Sequence, residues 1–396
     1  MSRGAPWTII AMVTVMTAIS SASVSQYLPS LPAITRDLAT TPAMVQLTLS
    51  VFMVTYALAQ LVWGPLSDRY GRRPMLLTGL ALYIATSTAC ALASSIEALI
   101  GFRILQACAA ACPPVIARAV VRDRYELKDA ARIMAYVSAS FSIAPVAGPI
   151  IGAALEENFG WRSNFVFMLS FGSLLAVAVA LFLPETRRRR ATTKAIGVLA
   201  NYAALLATRS FLGYALCICF AFGCIFVFNS VAPFYFIGVR GLTPQEFSFA
   251  YAVVTIGYGS SSYVAAKVTP RLGIDRTILM GILISLAGAL AVVAAVASGF
   301  AGVAGICGTL VLVGLGAGFI FPNAQAGAIS PYPEKAGAAS ALIGFMQMAA
   351  ASGAGVIAIH AYDGTANTLA AAVLLLNLLL LGTYVALVRR RGSAAS

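Results

Sequence analysis

Gly64-Pro-Leu-Ser-Asp68-Arg69-Tyr-Gly71-Arg72-Arg73 is a short charged break between two long apolar runs, residues 44–65 and 75–94. Gly64 lets two helix ends approach closely, and Gly71 permits a tight reversal because it has no Cβ. With the chain turned back there, Asp68 and Arg72 come within pairing reach. Each flanking run has the length of about 20 residues that carries a helix across roughly 30 Å of hydrocarbon. The stretch therefore reads as the turn between two membrane-spanning helices, and the rest of the chain repeats the pattern.

Of the 396 residues, 60% are hydrophobic and only 10% charged, against about 25% charged in soluble domains. Twelve spans are expected at 7–28, 44–65, 75–94, 98–121, 130–153, 163–183, 210–237, 248–266, 277–297, 302–325, 336–359 and 367–388. Gly, Ser and Thr within them favour close helix packing. The first run is too long for a removed leader and ends without a small-residue cleavage site. Basic residues alternate between the short connections. One set holds Arg3, Arg69, Arg72, Arg73, Arg118, Arg122, Arg124, Lys128, Arg132, Arg187 to Arg190, Lys194, Arg209, Lys267, Arg271, Arg276, Lys335 and Arg389 to Arg391. The other holds Arg36, Arg162 and Arg240. By the positive-inside rule both termini are cytoplasmic and the span count is even. The net charge of +13 belongs to this asymmetry. Nucleic acid is not an expected partner, because no basic domain stands outside the bilayer.

Pro184-Glu185-Thr186 and the arginines after it divide the chain near its middle. The expected parts are a six-helix bundle at 1–183, a cytoplasmic linker at 184–209, a second six-helix bundle at 210–388 and a tail at 389–396. A worn repeat supports two halves: Arg69, Gly71 and Gly79 match Arg271, Gly273 and Gly281. In transporters, such repeats place cargo near the midplane between the halves.

Three further stretches stand out. In Pro145-Val-Ala-Gly148-Pro149-Ile-Ile-Gly152, the glycines offer a flat packing face and the prolines bend the helix. In the fourth span, Arg103 and Gln106 share one face at i, i+3. An arginine within hydrocarbon is costly and marks function by default, although it can also snorkel or bond backbone carbonyls. The first span ends in Ser25-Gln26-Tyr27-Leu28-Pro29-Ser30-Leu31-Pro32.

Together these stretches resemble the major facilitator superfamily, whose cytoplasmic loop signature reads G-x-L-a-D-r-x-G-r-[RK]. Within it they are similar to the drug–proton antiporters of the bicyclomycin/chloramphenicol-resistance (Bcr/CflA-type) group. The resemblance implies an all-α integral membrane fold of twelve helices in two pseudo-symmetric halves, working by alternating access in the bacterial inner membrane as a monomer. It implies that Asp68, Arg72 and Asp123, with Gly64, Arg69 and Gly71, form a conformational latch favouring the outward-facing state. Pro145, Gly148, Pro149 and Gly152 match the G-P-x-x-G signature of the antiporters, which implies export. Arg103 and Gln106 match an R-x-x-Q facing the central cavity. Ser25 stands where the group has an aspartate, and the thirteen acidic residues of the chain all fall in loops or at helix ends.

The resulting expectation is a secondary active exporter of small molecules, with protons as the coupling ion. A cavity holding Arg103 and no acid repels cations, so the cargo is neutral or anionic, such as a phenicol-like drug. The alternatives are a gradient-independent facilitator, or an exporter of an endogenous metabolite or siderophore. Candidate cargo-binding residues are Ser25, Tyr27, Arg103, Gln106, Asn229, Tyr235, Tyr251, Tyr258 and Gln347. No cofactor or metal is expected: the seven cysteines lie in apolar runs and the single histidine, His360, ends a span. Without paired acids, a nucleophile–base pair or a metal, the chain does not read as an enzyme. It also lacks the phosphate loop that ATP use requires.

Overall fold

The structure is a computed structural model that describes residues 6–125, 133, 144–186, 196–299 and 302–389. Among them every regular element is helical. Arg3, Lys128, Arg132, Arg187 to Arg190, Lys194, most of the expected tail and most of the fifth span lie outside the described residues.

The chain forms two compact units, residues 1–191 with 243–248, and residues 192–242 with 249–396. The first contains α1 (Pro6–Ser25), α2 (Leu31–Asp37), α3 (Pro42–Tyr70), α4 (Arg72–Ala91), α5 (Ile96–Ala110), α6 (Cys112–Arg124), α7 (Ala144–Phe159) and α8 (Arg162–Phe182). The second contains α9 (Ile196–Leu206), α10 (Arg209–Pro233, extended by a wider turn to Val239), most of α11 (Pro244–Leu272), α12 (Ile274–Ala297), α13 (Val303–Ile329), α14 (Ala336–His360) and α15 (Asn367–Thr383). Among the described residues, nine helices are long and apolar enough to cross a membrane.

Local chemistry sets the boundaries. Thr41 caps α3, its hydroxyl accepting from the Met44 amide at 3.3 Å, and Pro42 occupies the first turn, where its missing N–H costs nothing. Ser95 caps α5 in the same way. The fourth span is stepped at Ala111, and Pro113 and Pro114 follow in the first turn of α6. The stretch expected as a loop after the second span is mostly helix: α3 continues to Tyr70, and the reversal falls on Gly71 alone, at φ 105°. Gly273, at φ 81°, makes the same reversal between α11 and α12. The two helices that precede these glycines are each 29 residues long, and each begins with a capping threonine and a proline, Thr41-Pro42 and Thr243-Pro244. Two short helices were not expected: α2, and α9 within the linker.

Burial ranks the helices. The most apolar windows of α5–α6 and of α10 are each 72% buried, whereas those of α8 and α15 are 28% buried. The first pair forms the interior of its own unit. The second presents Leu174, Leu181 and Leu375 outward, which suits helices that face lipid, where backbone polar groups are satisfied internally and apolar side chains are at home.

Candidate functional site

At the α3–α4 turn, Arg72 is the hub of a charge cluster. Its Nη2 meets Asp68 at 2.5 Å, its Nε meets Asp123 at 2.9 Å, and its Nη1 donates to the Ser67 hydroxyl at 2.6 Å. The guanidinium fork reaches three acceptors at once from donors held in one rigid plane. Only 5% of the Arg72 side chain and 10% of that of Asp123 are exposed, against 59% for Asp68. The Arg72–Asp123 contact is therefore the one the solvent screens least. The structure thus brings Asp68, Arg72 and Asp123 together. Arg69 instead lies over the ring of its neighbour Tyr70 at 5.2 Å.

Glu185 adds a partner that the sequence reading left out. Its carboxylate accepts from the backbone amides of Arg72 and Arg73 at 3.0 and 3.2 Å, at the N-terminus of α4. A carboxylate there satisfies orphan N–H groups and complements the helix dipole. The signal was present as an acidic residue directly after the sixth span.

Arg103 occupies the interior of the same unit with no exposed surface. Its Nη1 donates to Gln106 Oε1 at 2.7 Å and its Nη2 to the Ser23 carbonyl at 3.0 Å. The rings of Phe52, Tyr27 and Phe165 surround it at 4.3, 4.8 and 5.9 Å. Among the described residues no carboxylate lies within ion-pair distance of it. Two charge-assisted bonds of about 1.5–3 kcal/mol each, with cation–π attraction of about 2 kcal/mol when desolvated, offset part of the cost of its burial, while its Nε is buried without a hydrogen-bond partner among the described residues. The guanidinium is walled in rather than extended to the interface, and its bond to the Ser23 carbonyl is the backbone-bonding alternative. The cavity-facing expectation meets a side chain with no surface in this conformation, and Tyr27 and Gln106 are equally enclosed.

The exporter-like stretch and the end of α1 lie against each other. A Cβ placed on Gly148 would run into the Ser25 hydroxyl, and one on Gly152 into the Gln26 carbonyl. No residue larger than glycine fits either position without a shift. Ser25 lies in this seam, its hydroxyl donating back to the Ser21 carbonyl at 2.9 Å. From the seam a polar chain leads outward: Gln26 Nε2 donates to Asn164 Oδ1 at 3.0 Å, and Asn164 Nδ2 donates to the Ser30 hydroxyl at 2.9 Å. Gln26 and Asn164 were both missed in the sequence, although an asparagine in the apolar run of α8 was the available clue. Nearby, Asp37 accepts from Arg162 at 2.6 Å and from the Trp161 indole at 3.0 Å. Those two bonds hold its carboxyl below the ordinary range.

In the second unit, Asn229, Tyr235 and Tyr251 are buried, and Tyr258 and Gln347 are half-buried. Tyr251 stacks on Phe228 at 5.7 Å, and Tyr258 meets Phe321 edge-on at 5.8 Å. Asn229 sits beside the Tyr251 hydroxyl, and its Oδ1 is buried without a hydrogen-bond partner among the described residues.

The Major Facilitator Superfamily profile matches residues 12–355. The chain is 34% identical to the chloramphenicol resistance protein of Pseudomonas aeruginosa over 328 residues, which is 82% of this chain and 77% of that protein. It is 28% identical to the bicyclomycin resistance protein homolog of Haemophilus influenzae over 82% of each chain. To multidrug resistance protein D of Escherichia coli it is 26% identical, over 88% of this chain and 87% of that one. Among solved structures, a bacterial homolog of the human lysosomal transporter Spinster superposes with a TM-score of 0.71 at 16% identity, covering 98% of this chain and 96% of that one. At that identity the likeness is one of fold.

Proposed function

The chain belongs to the major facilitator superfamily, and from that premise we propose that it is a drug-efflux transporter of the bacterial inner membrane, exporting a phenicol-like compound in exchange for protons. The observation that carries this reading is the α1–α7 seam. The two stretches that resemble exporter motifs, Ser25–Pro32 and Pro145–Gly152, lie more than a hundred residues apart in sequence and meet glycine to backbone. The relatives named for chloramphenicol, bicyclomycin and multidrug resistance support the same cargo class.

The finer parts of the reading are twelve spans, two six-helix halves at 1–183 and 210–388, cytoplasmic termini, alternating access, and a monomer without catalytic activity. The cluster of Asp68, Arg72 and Asp123 acts as the conformational latch, with Gly64, Arg69 and Gly71 shaping its turn. Asn229 and Tyr251 fix a polar group of the cargo, with Tyr235, Tyr258 and Gln347 lining its path. Ser25, Tyr27, Arg103 and Gln106 serve it in a state in which Tyr27 and Phe52 have turned aside. The enclosed charge of Arg103 favours neutral or anionic cargo.

Uptake into inverted vesicles, compared for chloramphenicol and a lipophilic cation with and without a proton gradient, tests this. Gradient-driven chloramphenicol uptake is expected. Uptake indifferent to the gradient would make the chain a facilitator, a reading favoured by Ser25 at the position where the group has an aspartate. Preference for the cation would remove the role given to Arg103.

A further inference from the structure

The described carboxylates fall into two sets. Asp37, Asp68, Glu97, Glu157, Glu185, Glu246, Asp275, Glu334 and Asp363 are exposed, and two are withdrawn from solvent. One of those two, Asp123, is matched by Arg72. The other is Glu156, in the last turn of α7 and beyond the expected end of the fifth span at residue 153. Its Oε2 is buried without a hydrogen-bond partner, and no basic side chain lies within ion-pair distance among the described residues. An ionised carboxylate left so is expensive, whereas the neutral acid is not.

From this placement we propose that Glu156 is the entry site of the coupling proton, a reading that rests on proton-driven export. The step is a protonation: Oε2 gains H⁺ from outer-side water and the carboxylate loses its charge. Onward release breaks the same O–H bond. Burial raises the Glu156 carboxyl above its ordinary range, so the withdrawn conformation holds the proton and hydration of the site releases it. Around it, α2 contributes Arg36, which opposes the rise, and Asp37, which adds to it. Glu157 on α7 adds to it as well. From α8, Arg162 is committed to Asp37.

The site also has a route to the seam. Ser30 is the hydrogen-bond neighbour of the Glu156 carboxylate. The Ser30 hydroxyl accepts from Asn164, which accepts from Gln26, whose carbonyl lies under Gly152. Neutralising Glu156 changes what Ser30 can donate to, and the change reaches the backbone on which α7 rests. A protonation at the outer end of the unit is thereby linked to the packing of the stretch that marks the chain as an exporter.

The test uses the full chain in membranes, comparing wild type with Glu156→Gln, Glu156→Asp and Glu157→Gln. Infrared difference spectra between about pH 5 and about pH 8 should contain a protonated-carboxyl band that titrates above the ordinary carboxylate range. The band should be absent in E156Q, shifted in E156D and retained in E157Q. In inverted vesicles, gradient-driven chloramphenicol uptake by E156Q should fall to the level seen without a gradient. Chloramphenicol counterflow without a gradient should persist, which excludes misfolding. An unchanged band or unchanged gradient stimulation in E156Q would overturn the proposal while leaving proton-driven export standing. Absence of gradient stimulation in the wild type would sink both.

Discussion

Gly152→Ala adds one methyl group to the α1–α7 seam, and the structure says what that methyl meets. Its Cβ would lie 2.8 Å from the Gln26 carbonyl carbon and 3.1 Å from Gln26 Cγ, with the carbonyl oxygen closer. Ordinary carbon contacts need about 3.5–4.0 Å, so the end of α1 and α7 must part by roughly 1 Å. Overpacking of this kind costs about 1–3 kcal/mol, a factor of about 5–150 in any equilibrium that needs the seam closed. Gly148→Ala should be milder. Its nearest obstacle is the Ser25 hydroxyl, which can rotate away, and the next atoms, Gln26 N and Ser25 Cβ, stand at 3.2 and 3.3 Å. Ser25→Ala should therefore rescue Gly148→Ala and leave Gly152→Ala unrescued. Thermal unfolding of the solubilised chain and chloramphenicol uptake in inverted vesicles read both effects. If Gly152→Ala costs no more than Gly148→Ala, or Ser25→Ala rescues the two equally, the seam is not held by backbone contact and the reasoning fails.

Three other outcomes follow from the geometry. Asp123→Asn should lower the thermal stability of the solubilised chain more than Asp68→Asn, because a charge-assisted bond to a mostly buried partner is worth about 1.5–3 kcal/mol and an exposed pair about 0–1 kcal/mol. Equal losses would refute the weighting by burial. The Asp37 carboxyl is held low by Arg162 and Trp161, so its stabilisation is complete above the unfolded value of about 3.9 and fades as pH falls through the lower folded value. Asp37→Asn should flatten that acid-side loss and cost less than about 1 kcal/mol at neutral pH, since both partners are near half exposed, which acid denaturation curves would check. Asn229→Ala should raise the chloramphenicol KM several-fold and lower thermal stability by no more than about 0.5–1.5 kcal/mol, the worth of its one hydrogen bond to the Tyr251 hydroxyl. A stability loss with unchanged KM would make Asn229 a packing residue.

What the sequence disclosed was whatever one helix or one turn decides by itself. The reversal at Gly71, the charge pair on either side of it and the apolar lengths of the spans are local, and they were legible. The extension of α3 to Tyr70 was hidden because charged residues at a helix end look like a loop when read by polarity alone. Arg103 was legible as an expensive charge, but its enclosure was not. Phe52 and Phe165 come from other helices, and nothing in a linear pattern places three rings around one guanidinium. Glu156 was hidden for the opposite reason. At a helix end it looks solvated, and only the packing of α7 against the end of α1 and against α8 withdraws it. The same assembly makes Gln26 and Asn164 partners across more than a hundred residues.

The matched turns at Gly71 and Gly273 separate what a repeated fold inherits from what it spends on function. Both copies keep the threonine–proline start, the 29-residue helix and the left-handed glycine. In the second copy, however, Pro270 stands where the first has Asp68, and Ile274 where it has Arg72. The duplicated hairpin is thus a backbone template that tolerates loss of its Asp–Arg pair while keeping Arg69 as Arg271, so a chimera that transplants residues 64–73 into the second copy should fold with the Asp–Arg contact restored.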